Sequence, residues 1–345
     1  MTTVYLIRHA EAEGNLYRRA HGHYNATITP RGYRQIAALA GRLAKTRIDA
    51  VYTSDLVRTQ TTALSVSHSR GLALHIMPEL REIGVGEWED RTWAWLQRFD
   101  RERLITFNTD TEHWRVEGGE DMRLVRERML AALRQIIAAH PNETVAVFSH
   151  GMALRMLIGT LQGLTPAEIN QTGHAENTAV TKLEADASGI RVIFRDDASH
   201  LPDELTTLRR QQWVRAKGGL EPGIYFLPDE SDENRFLALN GDEAAGAVAV
   251  CPAGDGAASL TELRLAESLR GSAYGLRLLG QAVSRTRAVG CETLRVSISE
   301  DAPSLRRYAL TSGFRSAGGT LYELWFGTDE ARRAALFEEA MQKFA

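Results

Sequence analysis

The sequence contains little cysteine and no long apolar run. Cys251 and Cys291 are its two cysteines, too few for a disulfide framework or a thiolate zinc site. Both lie in apolar, strand-like surroundings, and we expect them to be reduced and buried. The apolar residues before Arg8 are too few for a signal peptide, and no run approaches the length that spans a membrane. These absences predict a soluble, cytoplasmic protein with no membrane partner.

A strong excess of charge of one sign is also absent. The formal net charge is -3, so the composition gives no indication of nucleic-acid binding. The hydrophobic and charged fractions, 43% and 25%, are those of an ordinary globular protein. Because 345 residues exceed the usual size of one hydrophobic core, we predict two domains, 1–217 and 218–345, with the boundary near Gly218 in a glycine-rich stretch.

Strand and helix patterns alternate along the first half of the chain, up to Phe194. Short apolar runs predict strands, and longer stretches with apolar residues at helical spacing predict helices. The alternation predicts an α/β fold with a mostly parallel sheet and helices on both faces, in which sites lie at the carboxyl ends of strands. The predicted strands are 4–7, 48–52, 72–77 and 144–148, and the predicted helices are 31–43, 56–66 and 122–139.

The second half has a different order, in which several strands precede the first long helix. This order predicts a mixed α+β domain. Before it, a helical pattern at 203–217 either closes the first domain or forms a semi-rigid linker. The predicted strands are 223–227, 236–239, 245–250, 260–265, 293–299 and 320–326, with one helix at 274–289 and another beginning near Asp301.

Two predicted strands of the first half end in side chains that suit phosphate chemistry. Cleaving a phosphomonoester requires a nucleophile aligned with phosphorus, cations on the non-bridging oxygens and an acid for the leaving oxygen. Strand 4–7 ends in Arg8 and His9, and strand 144–148 leads to His150, where a helix begins. An anion bound there would also be stabilised by the helix N-terminus. Each piece is weak alone, because a lone histidine at a strand end is more often packed or hydrogen-bonded.

The order of these pieces along the chain carries more weight than any one of them. The first 200 residues or so resemble the histidine phosphatase superfamily, which is also called phosphoglycerate mutase-like. The matching segments are 8–11 with Asn15, 29–32 with Gln35, 53–58, 80–83, 86–89 and 149–151.

The resemblance implies a role for each matching residue. His9 would be the nucleophile that becomes phosphohistidine, and Glu82 would be the proton donor. Guanidinium groups suit phosphate oxygens, and no metal would be needed. The phosphate would be held by Arg8, Arg58, Asn15 and a protonated His150. Two residues depart from the family pattern: Ala10 stands where glycine is usual, and Asn25 replaces an aspartate, which we expect to alter substrate contacts rather than chemistry. An inactive relative is the remaining alternative.

Hydrolysis of a small phosphorylated metabolite is favoured over phosphoryl transfer by a mutase. The stretch 83–149 holds a helix and a lid at 93–110, but it lacks the longer insert of cofactor-dependent mutases. A phosphoglycerate-type mutase stays the alternative. His21 and His23 lie near each other but without a carboxylate cluster, so we interpret them as solvated or substrate-facing rather than as metal ligands. Five aromatic residues either line a leaving-group pocket or belong to the core: Trp93, Trp95, Phe99, Phe107 and Trp114.

The second half contains a loop that suits a pyrophosphate. Segment 263–275 has a strand, a loop of small residues and then a helix, an order that presents backbone N–H groups to an anion, although an ordinary strand-to-helix connection has the same pattern. Residues 222–330 resemble the GNAT acetyltransferase family. The resemblance implies that backbone near Leu265 pairs with the pantetheine arm of acetyl-CoA and that Tyr308 protonates the departing thiolate. The pyrophosphate would be bound by Arg270, Gly271, Ser272, Ala273, Tyr274 and Gly275.

Several departures from the GNAT pattern leave the task of this half open. Ala273 stands where glycine is commonest, Asp301 replaces asparagine, and one extra residue follows Tyr308 before Gly313. Only about 20 residues separate the first predicted strand from Ala245, too few for the usual pair of helices over the acceptor. The site for a small amine would be open, or completed by the other domain. A CoA-sensing or structural module, without turnover, is the alternative.

Overall fold

The computed structural model describes residues 1–211 and 223–344. The strands of the first half are β1 (Thr2–Arg8), β2 (Ala50–Thr53), β3 (Leu74–Ile76), β4 (Thr144–Ser149), β5 (Val180–Asp186) and β6 (Gly189–Asp197). They form one sheet in the order β3-β2-β4-β1-β5-β6. The first four strands run parallel to their neighbours, and β5 and β6 are antiparallel additions at one edge. The mostly parallel sheet predicted from the sequence is confirmed.

Helices cover both faces of this sheet. They are α1 (Glu13–Tyr17), α2 (Pro30–Leu43), α3 (Val57–Arg70), α4 (Trp93–Phe99), α5 (Arg101–Thr109), α6 (Met122–Ala139), α7 (Gly151–Leu161) and α8 (Pro166–Gln171). Leu6 of β1 packs in a hydrophobic cluster with α6 and α7, whereas Ile7 packs with α2 and α3 on the opposite face. Successive side chains of a strand point to opposite faces, so β1 joins both layers of the core.

The helix predicted at 203–217 is wrong over the part that the structure describes. That part has two short 3-10 turns, Asp203–Leu205 and Arg209–Gln211. The backbone N–H groups of Thr207, Leu208 and Arg209 donate to the Glu176 carboxylate at 2.9, 2.9 and 2.7 Å. These tertiary bonds replace the helical ones. The rest of the segment and the predicted domain boundary near Gly218 lie outside the described residues.

The second half forms a mixed sheet of seven strands. They are β7 (Ile224–Asp229), β8 (Asp232–Asn240), β9 (Glu243–Pro252), β10 (Ala257–Leu265), β11 (Thr293–Ser297), β12 (Arg315–Gly318) and β13 (Leu321–Trp325). The order is β12-β13-β11-β10-β9-β8-β7, in which β10 and β11 alone pair in parallel among the described strands. A short turn joins β7 to β8, so the described chain has no helices between them, as the spacing predicts.

The described helices of the second half are α9 (Tyr274–Ala288), α10 (Pro303–Thr311) and α11 (Glu330–Phe344), of which α11 packs against α2 and α3 of the first half. Helix α9 packs on the sheet through Leu278, Leu279, Ala282 and Val283. The sequence predicted α9 and the start of α10, but it did not predict α11. No helix within 1–211 or 223–344 is long and apolar enough to cross a membrane.

The two halves share their hydrophobic cores. Tyr17 of α1 is 4% exposed and belongs to the cluster formed by the second sheet and its helices. In the other direction, Phe337 of α11 packs with Ala10, Ile28 and Ile36 of the first half. Each half therefore places an aromatic side chain in the core of the other.

Candidate active site

The parallel strands bring the predicted phosphate residues to one edge of the first sheet. Arg8 at the end of β1 is in register with Ser149 at the end of β4, and β2 ends beside β4 at Thr53. The side chains that follow these strands therefore meet. A cleft of about 330 Å³ lies there. Of the residues to which the sequence assigned phosphate chemistry, those that line the cleft are Arg8, His9, Asn15, Arg58 and Glu82.

The imidazole of His9 is buried at the base of this cleft. Its Nδ1 lies 2.7 Å from the carbonyl oxygen of Ala10, which only accepts, so the ring proton is on Nδ1. Nε2 then keeps its lone pair. Burial lowers the pKa of His9 well below its ordinary value, and the charges of Arg58 and Arg8 lower it further. The ring is therefore neutral near pH 7, which is the nucleophilic form.

His150 lies beside His9, with ring centroids 5.3 Å apart, but its charge differs from the prediction. Arg58 Nε donates to His150 Nδ1 at 3.2 Å, and Nε2 lies 2.8 Å from the Ser54 hydroxyl. Burial lowers the pKa of His150 well below its ordinary value, as do Arg58 and His9. The sequence predicted a protonated ring; the structure instead contains a neutral one, because His150 is buried next to an arginine.

Arg58 is fully buried and is held by backbone carbonyls. Its Nη1 donates to the oxygen of Tyr24 and its Nη2 to the oxygen of Gly22, each at 2.8 Å. Burial lowers the pKa of Arg58 to about 10, although Glu82 and Glu89 act in the opposite direction. Arg58 stays charged at neutral pH, and its position depends on the loop that carries these two carbonyls.

Glu82 is held at the N-terminus of α7. Its carboxylate accepts hydrogen bonds from the backbone N–H groups of Met152, Ala153 and Ile83 at 3.1, 2.9 and 3.1 Å. The helix N-terminus that the sequence suggested for an anion is thus already capped by this carboxylate. The first residue of α7, Gly151, lies close to Arg8, since a Cβ built on it would be 3.1 Å from Arg8 Nε.

Helix α1 places the amide of Asn15 at the cleft. Asn15 Oδ1 accepts from Ala12 N at 3.1 Å and from Asn177 Nδ2 at 3.4 Å, which leaves its Nδ2 as the end that can donate to a ligand. Asn177 Nδ2 also donates to the carbonyl of His9 at 2.8 Å. Sequence reasoning missed Asn177, because it lies in the loop before β5, where no motif or spacing marked it.

The loop histidines have definite partners. His21 is half-buried at the cleft, where its Nε2 accepts from Gly14 N at 2.5 Å, and its ring is 6.3 Å from that of His9. His23 Nε2 donates to the carbonyl of Glu82 at 2.9 Å. His21 thus lines the cleft, whereas His23 supports the segment that carries Glu82. Among the described residues, no group of three or more His, Cys, Asp and Glu side chains is arranged to hold a metal ion.

The two departures from the family pattern have structural explanations. Ala10 points into a hydrophobic cluster rather than into the cleft, and its N–H donates to Thr62 Oγ1 at 2.9 Å. Asn25 Oδ1 accepts from Val57 N at 2.8 Å, at the start of α3. Asn25 therefore caps the helix that carries Arg58, and its expected effect on substrate contacts is not supported by this placement.

The predicted aromatic residues divide between cleft and core. Trp93 and Phe107 line the cleft together with Leu104. Trp114 is 1% exposed in the core. Phe99 packs against Tyr225 of the second sheet, with ring centroids 5.4 Å apart.

The second half contains features that fit acetyl-CoA. Strand β10 pairs with β11 only from Ala257 to Ser259, so its backbone from Leu260 to Leu265 does not pair with β11. A bulge at the start of this stretch accompanies the divergence. Such an unpaired edge suits the amide groups of a pantetheine arm. The loop that follows begins with a 3-10 turn, contains Gly271 at φ +76° and leads into α9.

Tyr308 belongs to α10, and its hydroxyl lies close to the start of α9. A Cβ built on Gly275 would be 3.4 Å from the hydroxyl oxygen. Within the described part of the chain this hydroxyl is buried without a hydrogen-bond partner. Burial raises the pKa of Tyr308 to about 12, and the nearby side chain of Ser312 acts in the opposite direction. A buried hydroxyl that lacks a partner is unusual and fits a group that meets a ligand. The loop is less open than the sequence suggests, because the N–H groups of Arg270 and Ser272 already bond within it.

Comparison with known proteins agrees with the fold. Residues 4–197 match the family model of the histidine phosphatase superfamily (branch 1). The chain belongs to this superfamily. Residues 202–314 match the model of the acetyltransferase (GNAT) family, so the chain carries a histidine phosphatase domain followed by a GNAT domain.

Relatives resemble the first domain over nearly their whole length. A Cronobacter sakazakii protein named "Probable phosphoglycerate mutase GpmB" is 34% identical over 206 residues, which are 58% of this chain and 95% of that protein. The structure of Bacillus stearothermophilus YhfR is 30% identical, covers 58% of this chain and 99% of its own, and has a TM-score of 0.56. The alpha-ribazole phosphatase from Shigella flexneri is 26% identical, covers 56% of this chain and 96% of its own, and has a TM-score of 0.52.

Proposed function

We propose that the first domain hydrolyses a small phosphomonoester through a phosphohistidine intermediate at His9. The observation that carries this proposal is the state of the imidazole. Its Nδ1–H is bound to a backbone carbonyl, and the adjacent arginines favour the neutral ring, so Nε2 has a free lone pair. A neutral nucleophile surrounded by cations suits attack on a phosphoryl dianion, whose charge the cations stabilise.

The residues of the cleft support two steps. First, His9 Nε2 attacks phosphorus, the bond to the leaving oxygen breaks, and Glu82 in its acid form gives that oxygen a proton. Second, a water molecule attacks the phosphohistidine, Glu82 takes a proton from that water, and the phosphorus–nitrogen bond breaks to release inorganic phosphate. Arg8, Arg58 and Asn15 hold the phosphoryl oxygens, while His150 in its neutral form orients the Arg58 guanidinium through Nδ1.

The walls of the cleft narrow the substrate class. Trp93, Leu104 and Phe107 form an apolar wall, and Asn108 and His174 add polar groups. This lining suits a leaving group with a ring or hydrocarbon portion and a polar end. The names of the relatives include both a mutase and a phosphatase. We favour hydrolysis because the helices between Glu82 and β4 are the short α4 and α5, the helix α6 and one 3-10 turn, without the longer insert of cofactor-dependent mutases.

The test is to trap the intermediate and to replace the nucleophile. Brief incubation with a chromogenic aryl phosphate is expected to leave an acid-labile, base-stable phosphoryl adduct in the wild-type protein. His9→Ala should lose the adduct and lower the hydrolysis rate by more than about 1000-fold. His113→Ala is the matched control, because His113 lies on the surface, with its side chain 79% exposed. Hydrolysis by His9→Ala at the wild-type rate would show the mechanism to be wrong, and phosphoryl exchange between two acceptors without phosphate release would indicate a mutase.

We also propose that the GNAT domain binds acetyl-CoA and transfers its acetyl group to a small amine. Acetyl-CoA would supply the activated acyl group, and the Tyr308 hydroxyl would hold the proton for the departing thiolate. The unpaired edge of β10 and the buried hydroxyl of Tyr308 support this proposal. Calorimetry should detect acetyl-CoA binding to both the wild-type protein and Tyr308→Phe, but acetyl transfer only with the wild type. Absence of binding would rule out both acetyl transfer and CoA sensing, whereas binding without transfer to any amine would favour the CoA-sensing alternative.

A further inference from the structure

Helix α1 joins the phosphate cleft to the GNAT domain. One side of this helix faces the cleft, where it carries Asn15 and donates from Gly14 N to His21. The opposite side is inserted into the core of the GNAT domain through Tyr17. With only five residues, α1 cannot hold its own conformation in isolation, so its position is set by what packs against it.

The packing partner is one face of α9. Gly280, Gln281, Ser284 and Arg287 lie on this face at helical spacing. Gly280 touches Tyr17 so closely that a Cβ there would lie 2.5 Å from Tyr17 Cβ.

Gln281 and Ser284 of this face bind Arg19, in the loop that follows α1. Arg19 donates to Gln281 Oε1 and to Ser284 Oγ, each at 3.1 Å. Arg19 also forms an ion pair with Asp90 at 2.5 Å, and Ser284 donates to the same carboxylate. The GNAT domain therefore contacts both α1 and the segment after it.

Arg287 makes the strongest of these contacts. Its Nη1 and Nη2 donate to Glu13 Oε2 and Oε1 at 2.6 and 3.0 Å, a bidentate pair in which both side chains are largely buried. It also donates to the Tyr24 hydroxyl and, at 2.9 Å, to the carbonyl of Phe326. Burial acts to lower the pKa of Arg287, but the Glu13 carboxylate outweighs this and raises it, so Arg287 stays charged.

Two of the three partners of Arg287, Glu13 and Tyr24, lead directly to the residues proposed to bind phosphate. Glu13 is the first residue of α1, two positions before Asn15. Tyr24 uses its backbone carbonyl to hold the Arg58 guanidinium. Arg287 thus fixes the segment of Asn15 on one side and that of Arg58 on the other.

We propose that Arg287, although it belongs to the GNAT domain, is a positioning residue of the phosphatase site. It acts through Glu13 and Tyr24, which place Asn15 and Arg58 at the phosphoryl oxygens. This inference rests on the proposed phosphatase function.

The experiment compares Arg287→Met with a matched control, Arg295→Met. Arg295 pairs with Asp255 and Glu323 on the GNAT sheet, at 2.5 and 2.7 Å. Each variant removes an arginine of the GNAT domain that pairs with a carboxylate, but only Arg287 touches α1. The measurements are kcat and KM for an aryl phosphate and the inhibition constant of orthovanadate, all at 25 °C with folding checked by circular dichroism.

Arg287→Met is expected to lower kcat/KM by about 10- to 100-fold, since small displacements of positioned groups have effects of this size. The inhibition constant of vanadate should rise by a similar factor, because the same side chains would bind the oxygens of vanadate. A purely structural role would instead lower stability and leave the kinetics of the folded fraction unchanged. Equal kcat/KM and vanadate values in Arg287→Met and Arg295→Met would overturn the inference.

A second variant guards against a folding defect. Glu13→Gln combined with Arg287→Met removes the unpaired carboxylate that Arg287→Met alone would bury. If Arg287 acts mainly through Glu13, the double variant should lose little more activity than Arg287→Met. If its loss in kcat/KM instead equals the product of the losses of the two single variants, the two residues act independently, which contradicts the inference. An inactive wild-type protein would reject the proposed function itself, and this result is distinguishable from an active wild type that is insensitive at Arg287.

Discussion

Replacing Gly280 with alanine tests whether the two domains form one packed unit. A Cβ at this position would lie 2.5 Å from Tyr17 Cβ and 2.6 Å from its Cγ. Carbon atoms pack favourably at about 3.5–4.0 Å, so α9 and α1 would have to separate by roughly 1 Å. The neighbour is the base of a buried side chain, which cannot rotate away. Overpacking of this kind destabilises by roughly 1–3 kcal/mol.

The control is Gly41→Ala in α2. Gly41 is also a helical glycine, but it is exposed and a Cβ there would have no neighbour within 4 Å. Both substitutions gain about 0.5–1 kcal/mol because alanine favours a helix over glycine. We therefore expect Gly41→Ala to raise the free energy of unfolding, and Gly280→Ala to lie roughly 1–3 kcal/mol below that control.

Urea unfolding followed by tryptophan fluorescence and by circular dichroism measures this difference. Four of the six tryptophans, Trp88, Trp93, Trp95 and Trp114, lie in the histidine phosphatase domain, whereas circular dichroism reports on both domains. Because the two domains share this interface, Gly280→Ala should lower the urea midpoint that each probe reports. Equal free energies of unfolding for Gly280→Ala and Gly41→Ala would refute the tight contact between α9 and Tyr17.

Three further predictions concern pH, the last helix and proton transfer. The pKa values of His9, His21 and His150 are lowered, so the unfolded chain binds more protons than the folded chain below about pH 6.5. As the pH decreases below this value, the free energy of unfolding should fall by up to about 1.4 kcal/mol per pH unit for each histidine, and His21→Gln should reduce the measured slope by one such amount. Phe337→Ala should lower the free energy of unfolding by roughly 3–5 kcal/mol because Phe337 is 2% exposed, whereas Phe344→Ala at 43% exposed should have a small effect in the same urea experiment. Glu82→Gln should lower kcat by at least about 100-fold in steady-state assays, and an unchanged kcat would exclude Glu82 from proton transfer.

The fold of the first domain could be predicted because its signals are local. The apolar run of β1 lies in the sheet between two helical layers, and Thr29 with Pro30 gives a helix start, in which the Thr29 hydroxyl accepts from Gly32 N at 3.0 Å. Arg8 and His9 could be placed for the same reason, since the end of a buried strand fixes where the next side chains lie.

Features set by distant partners could not be predicted. The carboxylate of Glu176 replaces helical bonds after Thr206, and no pattern in the segment itself reveals this. The neutral state of His150 depends on Arg58, which lies 92 positions earlier in the sequence. Asn177 reaches the carbonyl of His9 across 168 positions. Helix α1 has five residues, too few for a periodic pattern to identify.

The pairing of Glu13 with Arg287 also has a consequence for synthesis of the chain. The two residues are 274 positions apart. At about 5–20 residues per second, a ribosome needs roughly 14–55 s to add Arg287 after Glu13. During this interval α1 has neither its ionic partner nor the apolar cover of Tyr17. If Arg287 positions the cleft as proposed, the cleft therefore reaches the geometry described above only after α9 has been synthesised.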